Sequence, residues 1–168
     1  MGFTFAEKLR ESHLVEGQTA PGREIRIRVG QTLTQDATGT MVYLPFEAIG
    51  INRVKTQLSA SFTDHNILET DSKNVDDHRY LHTTAARFGA VLSPAGNAIS
   101  TTCTGKVRAP WEDLLGSDSH STAGGCLGMI AIGAGGLEAA LALAERPFHF
   151  AMPRTWDIHL TGRLQPWH

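Results

Sequence analysis

The chain has 168 residues, 41% of them hydrophobic and 19% charged, with a formal net charge of -2. That composition fits one domain with a packed core and excludes a disordered, solvating chain. The balance of 15 Lys plus Arg against 17 Asp plus Glu gives no global attraction to nucleic acid or to an anionic membrane.

In chain order, Thr4 can cap a helix, with Glu7 three residues on completing a capping box. Gln18–Gly22 reads as a loop. Glu24–Val29 alternates polar and apolar, the pattern of a half-buried strand. Thr34–Thr38 reads as the start of a helix capped by Thr34 or Asp36, which Pro45 must kink or interrupt. Val54–Phe62 is a second strand, and Thr63–Asn66 a polar loop after it. Val75–Phe88 reads as a helix stopped by Gly89. Ala90–Leu92 and Asp113–Gly116 are short strands. Leu127–Ala144 reads as two helical pieces broken near Gly133–Gly136, and Trp156–Leu160 as a last strand. Strands alternating with helices predict a three-layer α/β domain with a mainly parallel sheet.

No apolar run approaches the ~20 residues of a membrane-spanning helix. The opening segment has no basic stretch followed by an apolar one, so no secretory signal is expected. Two cysteines, Cys103 and Cys126, make no disulfide framework. A reducing cytoplasm is the expected setting.

In parallel sheets, ligands gather at the loops beyond the carboxyl ends of strands. Two clusters fall there, Asp64-His65-Asn66 and Ser117-Asp118-Ser119-His120. Each sets a carboxylate beside an imidazole, and a carboxylate can fix a histidine's tautomer and raise its basicity. The plainer alternative is two polar turns capping the next helices. If the clusters share one substrate, Asp64, His65, Asp118 and His120 must meet at one edge of the sheet.

These segments carry a resemblance. Thr34–Thr38, Thr63–Asn66, Ser93–Asn97 and Leu114–His120, followed by Ala123–Gly125, Leu127–Leu137 and Leu160–Trp167, resemble in order the motifs of the aconitase and isopropylmalate isomerase hydro-lyases. The likeness runs over nearly the whole chain and implies a single domain, 1–168, similar to the family's first, N-terminal one. It implies dehydration and rehydration of a hydroxy di- or tricarboxylic acid at a [4Fe-4S] cluster. By the same likeness, Asp64, His65, Asp118, Ser119 and His120 are catalytic, and Gln35 and Ser119 contact substrate.

Two departures stand beside the match. Thr101 falls where the family has a histidine. The family's three cysteine ligands come from later domains, whereas a cubane cluster is held mainly by thiolates and only Cys103 and Cys126 are present here. Those two faintly echo ligand-bearing segments and are the candidate metal residues. Free cysteines are otherwise small buried apolar residues.

Other motifs carry less. Gly133-Ala134-Gly135-Gly136 lacks the third glycine of a dinucleotide fingerprint. His78 and His82 stand four apart on a helix, as a zinc pair or as part of a solvated face. Trp111, Trp156 and Trp167 read as core or domain-edge residues. Two functions follow: part of a hydro-lyase, inactive as an isolated chain, or a non-catalytic truncated, recombined or engineered scaffold. Self-association or a companion chain is expected to cover a face near Leu127–Ala144 or Trp167, with no nucleic-acid or membrane partner.

Overall fold

The computed structural model describes residues 3–97 and 111–165. Its elements are α1 (Phe5–His13), β1 (Leu14–Gly17), β2 (Glu24–Ile27), β3 (Gln31–Gln35), α2 (Gly39–Ile49), β4 (Leu58–Phe62) and α3 (Ser72–Phe88), followed by β5 (Val91–Ser93) and β6 (Asp113–Gly116). A 3-10 helix (Ser119–Leu127), β7 (Ile130–Gly133), α4 (Gly136–Leu143) and β8 (Phe148–Ala151) complete them.

The expected α/β architecture is present. Five strands in the order β5-β4-β3-β6-β7 pair in parallel throughout. A second sheet, β1-β2-β8, is antiparallel; of its strands the sequence reading contains only Glu24–Val29, which the structure forms as β2. The capping box is formed: the Thr4 hydroxyl accepts from the Glu7 amide, and the Glu7 carboxylate accepts from the Thr4 amide. Gly89 ends α3 in the left-handed conformation at φ 78, a position that suits glycine.

Helices cover one face of the parallel sheet. Val42, Tyr43 and Phe46 of α2 pack with Leu81 and Phe88 of α3 and with Ala139, Ala140 and Leu143 of α4. The other face carries Leu33, Ala60, Phe62 and Leu114, packed with Met129. The 3-10 helix lies on that side. A Cβ at Gly116 would fall 1.8 Å from the Ser121 hydroxyl oxygen, so only glycine lets the helix approach this closely.

Four expectations need correction. Residues 31–35 form the central strand, not a helix start, and α2 begins only at Gly39 with Thr38 at its cap position. A strand buried on both faces normally reads as a run of Val, Ile and Leu. Here the helix-facing positions are hydroxyls that satisfy one another: Thr32 with Ser59 at 2.7 Å, Thr34 with Ser61 at 2.6 Å, and Tyr43 with Ser61 at 2.8 Å. Pro45 lies inside α2 and does not interrupt it, since the helix continues to Ile49. The first part of Leu127–Ala144 is strand β7, since Ile130-Ala131-Ile132 pairs with β6. The last strand is Phe148–Ala151, which pairs with β2, while 156–160 pairs with nothing and stays irregular.

Candidate functional site

β3, β4, β5 and β6 end at one edge, with Gln35 level with Phe62, Phe62 with Ser93, and Leu33 with Gly116. The loops leaving that edge carry the polar clusters. The Thr38 and Ser117 hydroxyls bond at 2.8 Å and tie the turn after β3 to the turn after β6.

Asp36, the first residue after β3, organises the loop after β4. Its side chain is fully buried. Oδ1 accepts from the backbone N–H of Asp64 at 2.9 Å and of His65 at 2.8 Å, and Oδ2 accepts from the N–H of Asn66 at 2.7 Å. Oδ2 also meets His78 Nε2 at 3.2 Å. Burial alone would raise the Asp36 pKa, but the amide bonds from His65, Asp64 and Asn66 and the bond from His78 outweigh it and lower it.

That anchor presents the His65 ring between two carboxylates. Nδ1 lies 2.8 Å from Asp64 Oδ1 and Nε2 lies 3.2 Å from Asp118 Oδ1. Both carboxylate side chains are 3% exposed, and the imidazole is 37% exposed. Two acceptors on two ring nitrogens favour the doubly protonated imidazolium. Partial burial pulls the His65 pKa down, but the bond to Asp64 and the charges of Asp64, Asp118 and Asp36 raise it above its ordinary value.

Asp118 also caps the 3-10 helix, its Oδ2 accepting from the His120 amide at 2.5 Å. The His120 ring is exposed, with Nδ1 3.3 Å from the Ser119 hydroxyl and 3.6 Å from Asp118 Oδ2. A cleft of about 200 Å³ opens beside His65, bordered by Asn66, Glu69 and Asn74. Gln35 reaches the same edge but is buried, and its side-chain carbonyl accepts from the Ala37 amide at 2.5 Å.

The structure therefore brings Asp64, His65 and Asp118 into contact, with Ser119 and His120 adjoining. Cys126 is elsewhere. It is exposed in the last turn of the 3-10 helix, next to the turn where Trp111 N–H donates to Gly128 O, at the amino end of β6. Thr101, Cys103 and Trp167 lie outside the described residues. Asp36, Asp64 and His65 each offer a ligand atom within 4.8 Å of the others. Both Asp36 oxygens already accept hydrogen bonds, so an ion there has to displace them.

Two residues escaped the sequence reading. Asp36 looked like a helix cap, although a carboxylate directly after a strand at the carboxyl edge is also a site signal. His78 is neither half of a zinc pair nor part of a solvated face. It is 13% exposed and spans Asp36 and Glu69, the latter at 2.7 Å, while His82 is exposed.

Comparison with known proteins completes the description of this edge. A family model described as the aconitase family (aconitate hydratase) matches residues 7–168. A putative mitochondrial aconitate hydratase of Emericella nidulans is 33% identical over 190 residues, 98% of this chain and 23% of that protein. A mitochondrial homocitrate dehydratase of Saccharomyces cerevisiae is 30% identical, again over 98% of this chain and 23% of the relative. A 3-isopropylmalate dehydratase large subunit of Thermodesulfovibrio yellowstonii is 28% identical over 99% of this chain and 41% of its own length. The chain thus spans less than half of each of these relatives, and the matched part is their N-terminal region. Among the described residues, no helix is long and apolar enough to cross a membrane.

Proposed function

The chain belongs to the aconitase family, and on that premise we propose that its carboxyl edge is part of the active site of a hydro-lyase acting on a hydroxy di- or tricarboxylic acid. The observation that carries this is the His65 imidazole held between Asp64 and Asp118 at the ends of parallel strands. Removing water from such an acid needs a base for the proton on carbon and an acid for the departing hydroxyl. His65 is the acid. Asp64 holds Nδ1 and fixes the ring, and Nε2, the more loosely bonded nitrogen, hands its proton to the hydroxyl. The bond to Asp64 and the charges of Asp64, Asp118 and Asp36 raise the His65 pKa and so favour its keeping that proton. Asp118, Ser119 and the exposed His120 border the same edge and hold the substrate, with Gln35 beside them.

The family implies a [4Fe-4S] cluster, which supplies Lewis-acid assistance to a leaving hydroxyl. The described residues of this chain do not fit as its ligands. Thiolates hold such clusters, and Cys126, the one described cysteine, sits at the opposite edge of the sheet from His65. The carboxylate and imidazole donors at the site suit proton handling and substrate binding instead. In this reading 1–168 acts as one domain, and the thiolates come from other parts of the enzyme.

The reading also includes a covering partner, either a second copy or a companion chain. Trp156, Ile158, Leu160 and Leu164, close together in sequence, are all about four-fifths exposed or more, and large apolar side chains left in water are what a partner covers. Its compartment is a reducing one. The sequence reading gives the cytoplasm, and relatives with mitochondrial names mark the alternative.

The test follows the absorbance of aconitate with iron and sulfide present. The 168-residue chain alone should be silent, and should gain activity with a polypeptide carrying the family's remaining domains. His65→Gln should then cost about 10²–10⁴ in rate. Turnover by the chain alone, or full activity of His65→Gln in the combination, overturns the proposal.

A further inference from the structure

The loop that carries Asp64 and His65 is gripped at two points by two side chains from outside it, Asp36 and His78, which also contact each other. The grip begins with Asp36, whose carboxylate accepts the amides of residues 64, 65 and 66. Those bonds fix the backbone that carries the catalytic pair. The loop then turns back, Glu69 N–H donating to Asn66 O at 3.0 Å, with Glu69 itself in the left-handed region at φ 47. A non-glycine residue there carries backbone strain and persists where its surroundings hold it.

What holds it is His78, in the second turn of α3. Its Nδ1 faces Glu69 Oε1 at 2.7 Å and its Nε2 faces Asp36 Oδ2 at 3.2 Å. The ring spans the start of the loop, through Asp36, and the far end of it, through Glu69. A buried carboxylate accepting several amides is stable without a cation beside it only if those donors suffice. Here His78 supplies the fourth bond and, when protonated, a positive charge, and its pKa is raised: burial lowers it, but the bonds to Glu69 and Asp36 and their charges win.

We propose that His78 is a positioning residue for the hydro-lyase site: paired with Asp36 and Glu69, it clamps residues 64–69 so that His65 stays between Asp64 and Asp118. His78 touches neither Asp64 nor Asp118 and acts only through the loop. The proposal rests on the reading of His65 as the proton donor for its importance to function, but its geometry is testable without turnover.

The experiment uses the 168-residue chain labelled with ¹⁵N. Two signals are read by NMR: hydrogen exchange of the amides of Asp64, His65 and Asn66, and the ring nitrogens of His65. His78→Phe keeps the bulk and removes both bonds. Exchange at the three amides should accelerate about tenfold or more, the scale of one lost bond to a charged group. The His65 Nε2 signal should move toward that of an unpartnered ring. Amides of Leu33 and Ala60 in the central strands should not change. His78→Gln, whose amide nitrogen can still donate to Asp36, should recover part of the protection, and His82→Phe, exposed on the same helix, should change nothing. In the assembled enzyme His78→Phe should lower kcat more than it raises KM.

Unchanged exchange and unchanged His65 ring signals in a folded His78→Phe chain overturn the clamp. If that variant does not fold, His78→Gln and Glu69→Gln decide by the same signals: no change in either overturns it, and faster loop exchange in both supports it. Full turnover in His65→Gln would remove the functional reading while leaving the clamp standing. Normal turnover and ring signals in His78→Phe, with His65→Gln inactive, would remove the clamp alone.

Discussion

The loop after β4 and the loop after β6 carry nearly the same letters, a carboxylate and an imidazole within three residues, yet they are built in different ways. The β4 loop is held from outside. Asp36 and His78 belong to other elements, and they fix its backbone and its far end. The β6 loop is tied to the turn after β3 only at Ser117, and the part that carries its histidine is held from within, since Asp118 accepts the amide of His120 two residues on and caps the 3-10 helix. The result shows in the two histidines. His65 has a carboxylate on each ring nitrogen, whereas His120 is 74% exposed and touches its neighbours only loosely. One histidine is pre-organised and the other is left exposed and loosely held. The motif alone does not distinguish them; the presence of an outside anchor does.

The largest expected effect comes from removing each loop's anchoring carboxylate. Asp36→Ala leaves three backbone donors and the His78 cation without their acceptor in a buried site. Breaking such a pair costs about 3–5 kcal/mol. Asp118→Ala removes a helix cap, worth about 1 kcal/mol, along with the looser bond to His65 Nε2. Urea unfolding of both variants should show the first losing at least twice what the second loses. Equal losses would mean that the β4 loop is no more externally held than the β6 loop.

The same contrast explains how far the sequence could be read. The β6 loop was legible because its cap is local: strand Asp113–Gly116, then a capping aspartate at the start of the next helix. The pairing of the two clusters at one edge was also legible, because the ends of parallel strands are where ligand loops collect. The anchor of the β4 loop was not. Asp36 is 28 residues from the nearest amide it accepts and 42 from His78. In the sequence it sits in a polar stretch that scores as a helix start. The strand before it was hidden for a related reason, since Thr32 and Thr34 are buried by pairing with Ser59 and Ser61 rather than by being apolar. The antiparallel sheet was only half visible. Glu24–Ile27 alternates, but its partners Leu14–Gly17 and Phe148–Ala151 lie about ten and more than a hundred residues away, and four-residue strands carry little periodicity.

An intermediate effect should appear as pH changes. His65 and His78 both have folded pKa values above 6.5, and both contribute through the β4 loop. A raised folded value means that the native state holds the proton more tightly than the unfolded chain does. Their stabilisation is therefore complete below about 6.5 and is lost as pH rises through the folded values. Asp36 has a folded pKa below 3.8, so its contribution is present above that value and fades as pH falls through the lower folded one. The thermal midpoint should thus decline on the alkaline side of about 6.5, and His78→Phe should flatten that decline. His120→Ala should leave it unchanged, because no part of the β6 loop's cap depends on the His120 ring. A decline of the same steepness in His78→Phe would detach the pH response from the β4 loop.

The smallest expected effect on stability is that of His120→Ala, and it is the sharpest test of the contrast. The bond that caps the 3-10 helix runs from the His120 backbone N–H to Asp118, and alanine keeps that N–H. The side chain itself is mostly in water, with one contact at 3.3 Å to the Ser119 hydroxyl and one at 3.6 Å to Asp118. Exposed substitutions away from caps and cores usually stay within about 0.5 kcal/mol. The unfolding midpoint in urea should therefore match that of the unaltered chain. In the assembled enzyme the same change should still cost about 10²–10⁴ in rate if the ring takes part in proton transfer once substrate is bound. His65→Ala should lower both stability and rate, because its ring already bridges Asp64 and Asp118 before any substrate arrives. A His120→Ala chain destabilised as much as His65→Ala would show that the β6 histidine is also a structural bridge, and the difference between the loops would then lie in length and position rather than in how each is held.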